Sequence, residues 1–497
     1  MKETIVVKKN SYFDSVQLMR ISNLIKKEKG ITDAQLIMGT DQNKEFLYGS
    51  GIRSKAVDEA GPMDLVIYIK AEKNDTDPEE LFAKALKKTR ENTGEAFRHG
   101  SLEGAIKTYP GINFALISVP GKYAFWEARN ALHLGLNVMI FSDNVSLDEE
   151  IELKHIAREK GLIVMGPDCG TAIVNGTPLA FANTVRSGNI GIVSASGTGL
   201  QAVACAVHNL GGGISQAIGT GGRDLSAEVG GISAKTAVEA LCEDGETEVI
   251  AFISKPPDKK IMDEITGFIS TQKKDFVVYF IGSEKKGRKG NIFYASSLDD
   301  AARIAVDIGV MKNLKDETAE HSFILKERKP GHLRAYYTGG TLAYECINIL
   351  AKNGMEVRSN ISKKPDLLLK DPWTPSGDSV IDLGEDFFTR GKAHPMIDPE
   401  SRIKMLEKEA LDPAGSFIIL DIVLGWGSHE DMAGALTGPL KKLKNKELFA
   451  YILGTPMDMQ NLEEQKKKLA AAGVKCFLRH DEMIFKCMEL MGYEKVK

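Results

Sequence analysis

Apolar and polar positions follow a short alternating rhythm over the first 95 or so residues. Brief β-branched runs alternate there with stretches of helical period, which predict strands at 4–7, 34–38 and 63–69 and helices at 14–27 and 78–90. Asp14 or Ser15 is expected to cap the first helix, and Asp77 or Pro78 to begin the last. The pattern predicts a small α+β module of ferredoxin-like type.

Between about residues 102 and 182 the pattern becomes that of a doubly wound α/β domain. It predicts strands at 115–119, 137–141 and 162–165, and helices at 123–134 and 148–160. Ser146 is the expected N-cap of the last helix, with Glu149 completing a capping box.

Small and polar residues follow each of these three strands. Because ligands of such sheets bind beyond the carboxyl ends of the strands, these loops are candidate substrate loops. Their residues are Pro120, Gly121, Asp143, Asn144, Gly166, Asp168 and Cys169. Cys169 is a possible nucleophile, but no histidine partner is identifiable, which favours a structural role.

The stretch at 188–233 carries the strongest chemical signal. An apolar strand at 189–193 runs into a small-residue loop and an amphipathic helix at 200–210. Unpaired N–H groups and hydroxyls at a helix start suit a phosphate or carboxylate. The candidate phosphate-binding residues of this loop are Ser194, Ser196, Gly197, Thr198 and Gly199.

A second glycine-rich loop follows at 219–224. Gly221 and Gly222 allow backbone to approach a ligand there, and Arg223 can pair with its charge. Neither loop matches the GxxxxGK[ST] or GxGxxG patterns, and each alone is equally consistent with a tight structural turn.

The loop pattern recurs later in the chain, which favours the ligand interpretation. A strand near 331–337 leads into Thr338, Gly339, Gly340 and Thr341 and then a helix, while residues 380–386 match 217–224 and 417–423 match 249–254. One α/β unit used twice predicts a pseudo-twofold pair whose loops face one site.

Composition limits the classes of function. The 497 residues predict three or four domains, and 64 basic against 68 acidic residues, net −4, give no sign of nucleic-acid or membrane-surface binding. Without an apolar run of about 18 residues or a signal-peptide pattern, we expect a cytoplasmic protein. The six cysteines stand singly, so no metal site is expected.

Six fragments resemble the FdrA family, which is similar to the NDP-forming acyl-CoA synthetases and to succinyl-CoA synthetase. They are 117–121 (ISVPG), 141–145 (FSDNV), 165–171 (MGPDCGT), 195–199 (ASGTG), 218–224 (IGTGGRD) and 254–257 (SKPP). The resemblance implies an α/β fold with an α+β module at 1–98, a Rossmann-like CoA-binding-type domain at 99–185, and flavodoxin-like ligase domains at 186–312 and 313–497. It also implies a second phosphate-holding helix start, with Gly425, Gly427 and Ser428. If the repeats pair, the loops at 194–199 and 425–431 are expected to converge on one phosphate-sized cavity, with Lys255, Arg223 and His394 at its rim.

The departures from that family pattern bear on function. The loop that carries a phosphorylatable histidine in succinyl-CoA synthetase reads GRKGNI here, at 287–292, and Lys255 stands where a glutamate orients that histidine. No stretch of about 200 residues remains for an ATP-grasp domain. Because the glycine-rich first turn of the CoA-binding fold is missing, weak or absent CoA binding is expected.

The resemblance implies a subunit of a carbamoyl- or acyl-transfer enzyme of the oxamate carbamoyltransferase type, with phosphate or carbamoyl phosphate as ligand. Acyl-CoA ligase activity and a non-catalytic regulatory role are the alternatives. Lys255, Arg223 and His394 are the candidate catalytic residues, although for His394 a role in capping or pinning a loop is favoured. Expected partners are a small-molecule substrate and either other enzyme subunits or further copies of the chain.

Overall fold

The computed structural model describes residues 2–13, 15–49, 51–72, 77–91, 99–311, 322–390 and 392–496. The chain forms two compact units, one of residues 1–111 with Asp386–His394, and one of residues 112–385 with 395–497. No helix within the described residues is long and apolar enough to cross a membrane.

The first unit contains the predicted α+β module. Its elements are β1 (Lys2–Lys8), α1 (Ser15–Lys26), β2 (Ile31–Met38), α2 (Asp41–Gly49), α3 (Lys55–Asp58), β3 (Leu65–Ala71), α4 (Pro78–Glu91) and α5 (Leu102–Thr108). The strands form an antiparallel sheet in the order β1-β3-β2. Asp77 accepts a hydrogen bond from the Glu79 amide at 2.9 Å, as expected of a cap. The alternative cap Asp14 and the boundary at residue 98 lie outside the described residues.

The second unit begins with a small parallel sheet of order β4-β5-β6. Its elements are β4 (Phe114–Ile117), α6 (Gly121–His133), β5 (Asn137–Ile140), α7 (Leu147–Glu159) and β6 (Val164–Met165). Ser146 caps α7 and forms the predicted capping box with Glu149.

An eight-stranded sheet follows. Its elements, in chain order with the helices between them, are β7 (Thr171–Val174), β8 (Thr177–Ala180), β9 (Ser187–Ser194), α8 (Gly197–Asn209), β10 (Ile214–Gly219), α9 (Ile232–Glu243), β11 (Val249–Ser254), α10 (Lys259–Ser270), β12 (Asp275–Phe280), β13 (Gly287–Lys289), β14 (Ile292–Tyr294) and α11 (Leu298–Val306), with a π-helical turn Asp307–Met311. The strand order is β13-β14-β12-β11-β9-β10-β7-β8. The hairpin of β7 and β8 precedes the expected boundary at 185/186 yet belongs to this sheet.

A six-stranded parallel sheet forms the last part. The elements of this part are β15 (Phe323–Leu325), β16 (His332–Tyr337), α12 (Gly340–Lys352), β17 (Arg358–Ser359), β18 (Ser379–Asp382), α14 (Glu400–Leu411), β19 (Gly415–Val423), α15 (Met432–Lys441), β20 (Glu447–Leu453), α16 (Leu462–Ala471), β21 (Val474–Phe477), α17 (His480–Leu490) and β22 (Tyr493–Lys495). The intervening helix α13 (Asp386–Thr389) belongs to the first unit. The order is β17-β18-β16-β19-β20-β21, and β15 pairs separately with β22. The expected boundary at 312/313 lies outside the described residues.

The two large sheets repeat one plan. The order β12-β11-β9-β10 in the first corresponds to β20-β19-β16-β18 in the second, and α8 and α12 each follow the central strand. These strands are buried apolar runs because helices cover both faces of a parallel sheet. One hydrophobic cluster contains side chains of both halves, among them Val203 of α8 and Leu342 of α12. The shared core places the starts of α8 and α12 side by side.

Candidate functional site

The loop at 194–199 is held in place by its own hydroxyls. The Ser194 hydroxyl donates to the Ser196 carbonyl at 2.8 Å, and its oxygen accepts from the Ser196 amide at 3.2 Å. Ser196 is the N-cap of α8, and its oxygen accepts from the Gly199 amide at 3.1 Å. Ser194, Ser196 and Thr198 are all buried, so this helix start is preorganised.

The loop at 338–341 is held by a buried carboxylate instead. Asp421 of β19 accepts from the Thr338 amide at 3.0 Å and from its hydroxyl at 2.6 Å. Asp421 is itself held by the buried guanidinium of Arg402, which donates to its carbonyl. Gly339, the N-cap of α12, provides no side-chain cap. The first amides of α12 therefore have no side-chain acceptor on their own cap residue.

The two loops meet each other. The hydroxyls of Ser196 and Thr341 are directly hydrogen-bonded. Gly339 is required there, because a Cβ on it would lie 2.7 Å from the Thr198 hydroxyl oxygen, and a Cβ on Gly199 would lie 3.1 Å from the Thr341 methyl carbon. The positive ends of two helix dipoles thus converge, as the sequence repeat predicts.

Two charged groups border the junction at Gly340. A Cβ on that glycine would lie 3.3 Å from the Lys255 ammonium nitrogen and 2.7 Å from Oδ2 of Asp382. Lys255 follows β11 directly and Asp382 ends β18. The structure therefore brings Lys255 to Gly340, within the predicted phosphate-binding loop at 339–341.

Asp382 is a site residue that sequence reasoning missed. It is 6% exposed, and burial raises the pKa of its carboxyl to about 6, against the opposing effect of the Lys255 ammonium. One signal could have identified it, because the repeat aligns Asp382 with Gly219, so that an acidic side chain stands where the first copy has none. An acid at a strand end, buried beside a lysine, is a candidate proton-transfer group.

Arg223 has a different partner from the one its loop suggested. It forms an ion pair with the buried Glu150 of α7 at 2.8 Å and donates to the Val145 carbonyl at 2.8 Å. Gly221 packs against backbone, since a Cβ on it would lie 2.6 Å from the Pro167 carbonyl oxygen. A role for Arg223 in catalysis stays a prediction.

The strand-end loops of the small sheet pack against one another. A Cβ on Gly121 would collide with the Asp143 and Asn144 carbonyls, which explains the glycine after Pro120. A Cβ on Gly166 would lie 2.5 Å from the Ile140 carbonyl oxygen, and a Cβ on Gly222 would lie 3.8 Å from the Asp168 carboxylate. These loops therefore pack against the 219–224 loop, and their role as substrate loops stays a prediction.

Cys169 is buried, at 2% exposure, and its sulfur lies 3.4 Å from the Gly219 carbonyl oxygen. Burial raises the pKa of its thiol to about 12. A thiolate is the reactive form, so we expect Cys169 to resist alkylation at pH 8 in the native protein, while the half-buried Cys242 and Cys476 react first. Peptide mapping after iodoacetamide treatment measures this, and rapid labelling of Cys169 would contradict it.

The second predicted helix start differs from the first. Gly425 and Gly427 lie against residues 181–183, with a Cβ on Gly425 reaching 2.6 Å from the Ala182 carbonyl oxygen. Ser428 is buried, and α15 begins at Met432 with Asp431 as its cap. A carboxylate thus occupies this helix start, and the loop at 338–341 is the one that meets the loop at 194–199.

His394 belongs to the segment Asp386–His394 of the first unit. Burial lowers the pKa of its imidazole to about 4, so the ring is neutral at pH 7. Its assignment as a catalytic residue stays a prediction.

Three family models match the chain in succession. "AllF, heavy metal-associated domain" matches residues 1–100, "CoA binding domain" residues 185–282 and "CoA-ligase" residues 336–482. The CoA-binding match falls on the stretch that the sequence interpretation assigned to the first flavodoxin-like domain. No group of three or more His, Cys, Asp or Glu side chains that could hold a metal ion occurs among the described residues.

Whole-chain comparison gives a long match. The uncharacterized protein YahF of Escherichia coli (strain K12) is 41% identical over 493 residues, covering 95% of this chain and 96% of that protein. Succinate–CoA ligase [ADP-forming] subunit alpha-2 of Trichomonas vaginalis is 28% identical over 30% of this chain and 59% of its own length. The dinucleotide-forming acetyl-coenzyme A synthetase 1 of Ca. Korarchaeum cryptofilum, with phosphate and ADP, aligns at a TM-score of 0.33 and 16% identity over 76% of this chain and 82% of that one.

The parallel-sheet domains and the matches to CoA-binding and CoA-ligase models define an α/β protein of the acyl-CoA synthetase class. The two loops that converge at Thr341 lie one in each of those matches. The chain belongs to the FdrA family, within the succinyl-CoA synthetase superfamily.

Proposed function

We propose that the chain transfers an acyl group between phosphate and the thiol of CoA, as an acyl-CoA ligase-type enzyme. One observation carries the proposal, namely the convergence of two preorganised helix starts with Lys255 and the buried carboxyl of Asp382. Membership of the superfamily and the CoA-binding and CoA-ligase matches support the reaction class.

The converging loops suit an acyl phosphate. Each helix start contributes about 0.3 to 1 kcal/mol to binding an exposed anion, and up to about 2 kcal/mol when partly buried. A charge-assisted hydrogen bond from Lys255 adds roughly 1.5 to 3 kcal/mol. Thr198 and Thr341 add hydroxyls at the same place. The lysine is therefore expected to matter as much as either helix.

The transfer itself needs orientation and charge stabilisation. The CoA sulfur attacks the acyl carbon, the bond from that carbon to the phosphate oxygen breaks, and inorganic phosphate leaves with the thiol proton. Amides at the start of α12 can stabilise the negative charge that develops on the acyl carbonyl oxygen when the sulfur attacks. Lys255 can neutralise the leaving phosphate.

The acyl phosphate is expected to arrive ready-made. The segment that would hold a phosphorylated histidine is the hairpin of β13 and β14, and it contains arginine and lysine but no histidine. We therefore predict that the purified chain takes up no label from γ-labelled ATP, as measured by acid-labile radioactivity on the protein. Stable labelling would contradict this. A further subunit that makes or supplies the acyl phosphate is the expected partner.

Carbamoyl transfer is the second candidate. Carbamoyl phosphate is already activated, so the missing histidine and the lysine at 255 suit it. In this version an amide such as oxamate replaces CoA as the acceptor, and the phosphate end of the site is used in the same way.

Arsenolysis separates these candidates. Arsenate replaces phosphate, and the acyl arsenate it forms hydrolyses at once, so each turnover releases CoA thiol from an acyl-CoA. A panel of acyl-CoA thioesters, alone and with proteins encoded beside this chain, is expected to show thiol release that Lys255→Met reduces. Phosphate release from carbamoyl phosphate with oxamate, and none from the thioesters, would favour the second candidate. Failure of both reactions would leave a non-catalytic role.

A further inference from the structure

Three hydrogen bonds hold Asp382 in place, two through its backbone and one through its carboxylate. Its backbone amide donates to the Asn360 side chain at 2.9 Å, and its carbonyl accepts from the same amide group at 2.9 Å. Its Oδ1 accepts from the Gly384 amide at 2.9 Å. These contacts leave one carboxyl oxygen, Oδ2, directed at Gly340. A carboxyl held in this way has a defined position at the site.

Two ordinary structural roles do not account for that oxygen. Among the described residues no amide of α12 donates to Asp382, so it is not the cap of that helix, and Lys255 forms no ion pair with it. A glycine at 340 keeps the space between Oδ2 and the ammonium open, because any Cβ would fill it. The carboxyl and the lysine thus flank a gap at the junction of the two loops.

The charges that act on Asp382 come from several elements. Lys255 after β11 favours its ionised form, whereas Asp421 of β19 and Glu385 oppose ionisation, and the Tyr344 phenol of α12 lies within electrostatic range. Burial is the largest effect and raises the pKa to about 6. Near neutral pH the group is therefore mostly ionised yet readily protonated, which suits proton transfer.

We propose that Asp382 is the general base that takes the proton from the attacking nucleophile and passes it to the departing phosphate. This inference rests on the proposed acyl transfer. The X–H bond of the acceptor breaks as the X–C bond forms, the proton goes to Oδ2, and the phosphate oxygen receives it when the bond from carbon to oxygen breaks. The acceptor must therefore carry a proton on its attacking atom, as a thiol or an amide does.

The test compares Asp382→Asn with Glu385→Gln in the arsenolysis or carbamoyl assay. Asp382→Asn is expected to lower kcat at least about 100-fold, to change the KM for arsenate or phosphate by no more than about threefold, and to abolish a fall in rate below about pH 6. Glu385→Gln is expected to keep the rate above pH 7 and to retain the limb, moved to slightly lower pH because Glu385 opposes the ionisation of Asp382. An Asp382→Asn enzyme with the wild-type rate and pH limb overturns the proposal.

A binding measurement keeps the inference testable if no acceptor works. Ionised Asp382 repels an anion, so bound phosphate should favour the protonated form of Asp382, and the wild-type protein is expected to take up an additional proton on binding above pH 6. Asp382→Asn is expected to lack that uptake. Calorimetry in buffers of different ionisation heat measures the number of protons taken up. Absence of the difference would place Asp382 outside the anion site and overturn the inference. If the difference in proton uptake is present but no acceptor supports turnover, the proposed transfer reaction is wrong, and so is the base role of Asp382.

Folding is checked separately. The pKa of Asp382 is raised in the folded state from a usual value of 3.8, so its contribution to stability falls as pH rises from about 4 to 6. Removing the charge should therefore not destabilise the protein at pH 8. Asp382→Asn is expected to melt there at or above the wild-type temperature.

Discussion

Lys255→Ala is expected to weaken phosphate binding by about tenfold or more while leaving the fold intact. The ammonium lies at the start of α12, 3.3 Å from where a Cβ on Gly340 would stand, and the side chain is half-buried. Loss of a charge-assisted hydrogen bond of roughly 1.5 to 3 kcal/mol corresponds to about 10- to 150-fold in affinity. Calorimetric titration with inorganic phosphate measures the effect.

Lys259→Ala is the matched control, because Lys259 is an exposed residue of α10 four positions further along. It is expected to leave phosphate affinity within about twofold, as a solvated cation contributes little to a buried site. Equal losses in the two variants would mean that general charge, not the position of Lys255, attracts the anion. Unchanged affinity in Lys255→Ala would remove the site and the reaction proposed for it.

Much of this site could be predicted because its sequence pattern occurs twice in the chain. A strand, a small-residue loop and a helix recur at 194–199 and 338–341, and identical units tend to pair about a pseudo-twofold axis. The position of Lys255 at a strand end also follows from local pattern. The resemblance of the fragments to the FdrA family agrees with the long match to YahF.

Other features depend on contacts between distant segments. The interaction of Arg223 with Glu150 joins a loop to a helix about 70 residues earlier, and nothing in the GTGGRD loop specifies that partner. Asp382 looks like any polar residue at a strand end until burial, against the opposing effect of Lys255, raises its pKa to about 6. The start of α15 reads like an anion site, yet Asp431 caps it. Local pattern identifies the groups, whereas tertiary packing decides their partners.

A buried ionic network links the small sheet to the first large one. Lys154 of α7 lies 2.8 Å from Glu150 and 2.7 Å from Asp224, and all three side chains are fully buried. The lysine also donates to the Thr220 carbonyl at 3.1 Å. Asp224 in turn accepts from the Ala234 amide at 2.9 Å at the start of α9. Removing the lysine would leave the buried Asp224 carboxylate without its cation and Glu150 with Arg223 alone.

Lys154→Met is therefore expected to lower the free energy of unfolding of the second unit by about 3 to 5 kcal/mol, the cost of leaving a buried carboxylate without its cation. Lys468→Met is the matched control, because the Lys468–Asp431 pair has the same 2.7 Å separation but both side chains are about 40% exposed. An exposed pair is worth about 0 to 1 kcal/mol. Denaturant titration followed by circular dichroism compares them. Equal losses would show that separation, not burial, sets the strength of these pairs, whereas a large loss confined to Lys154→Met would assign the stability of the 219–224 loop to the buried network.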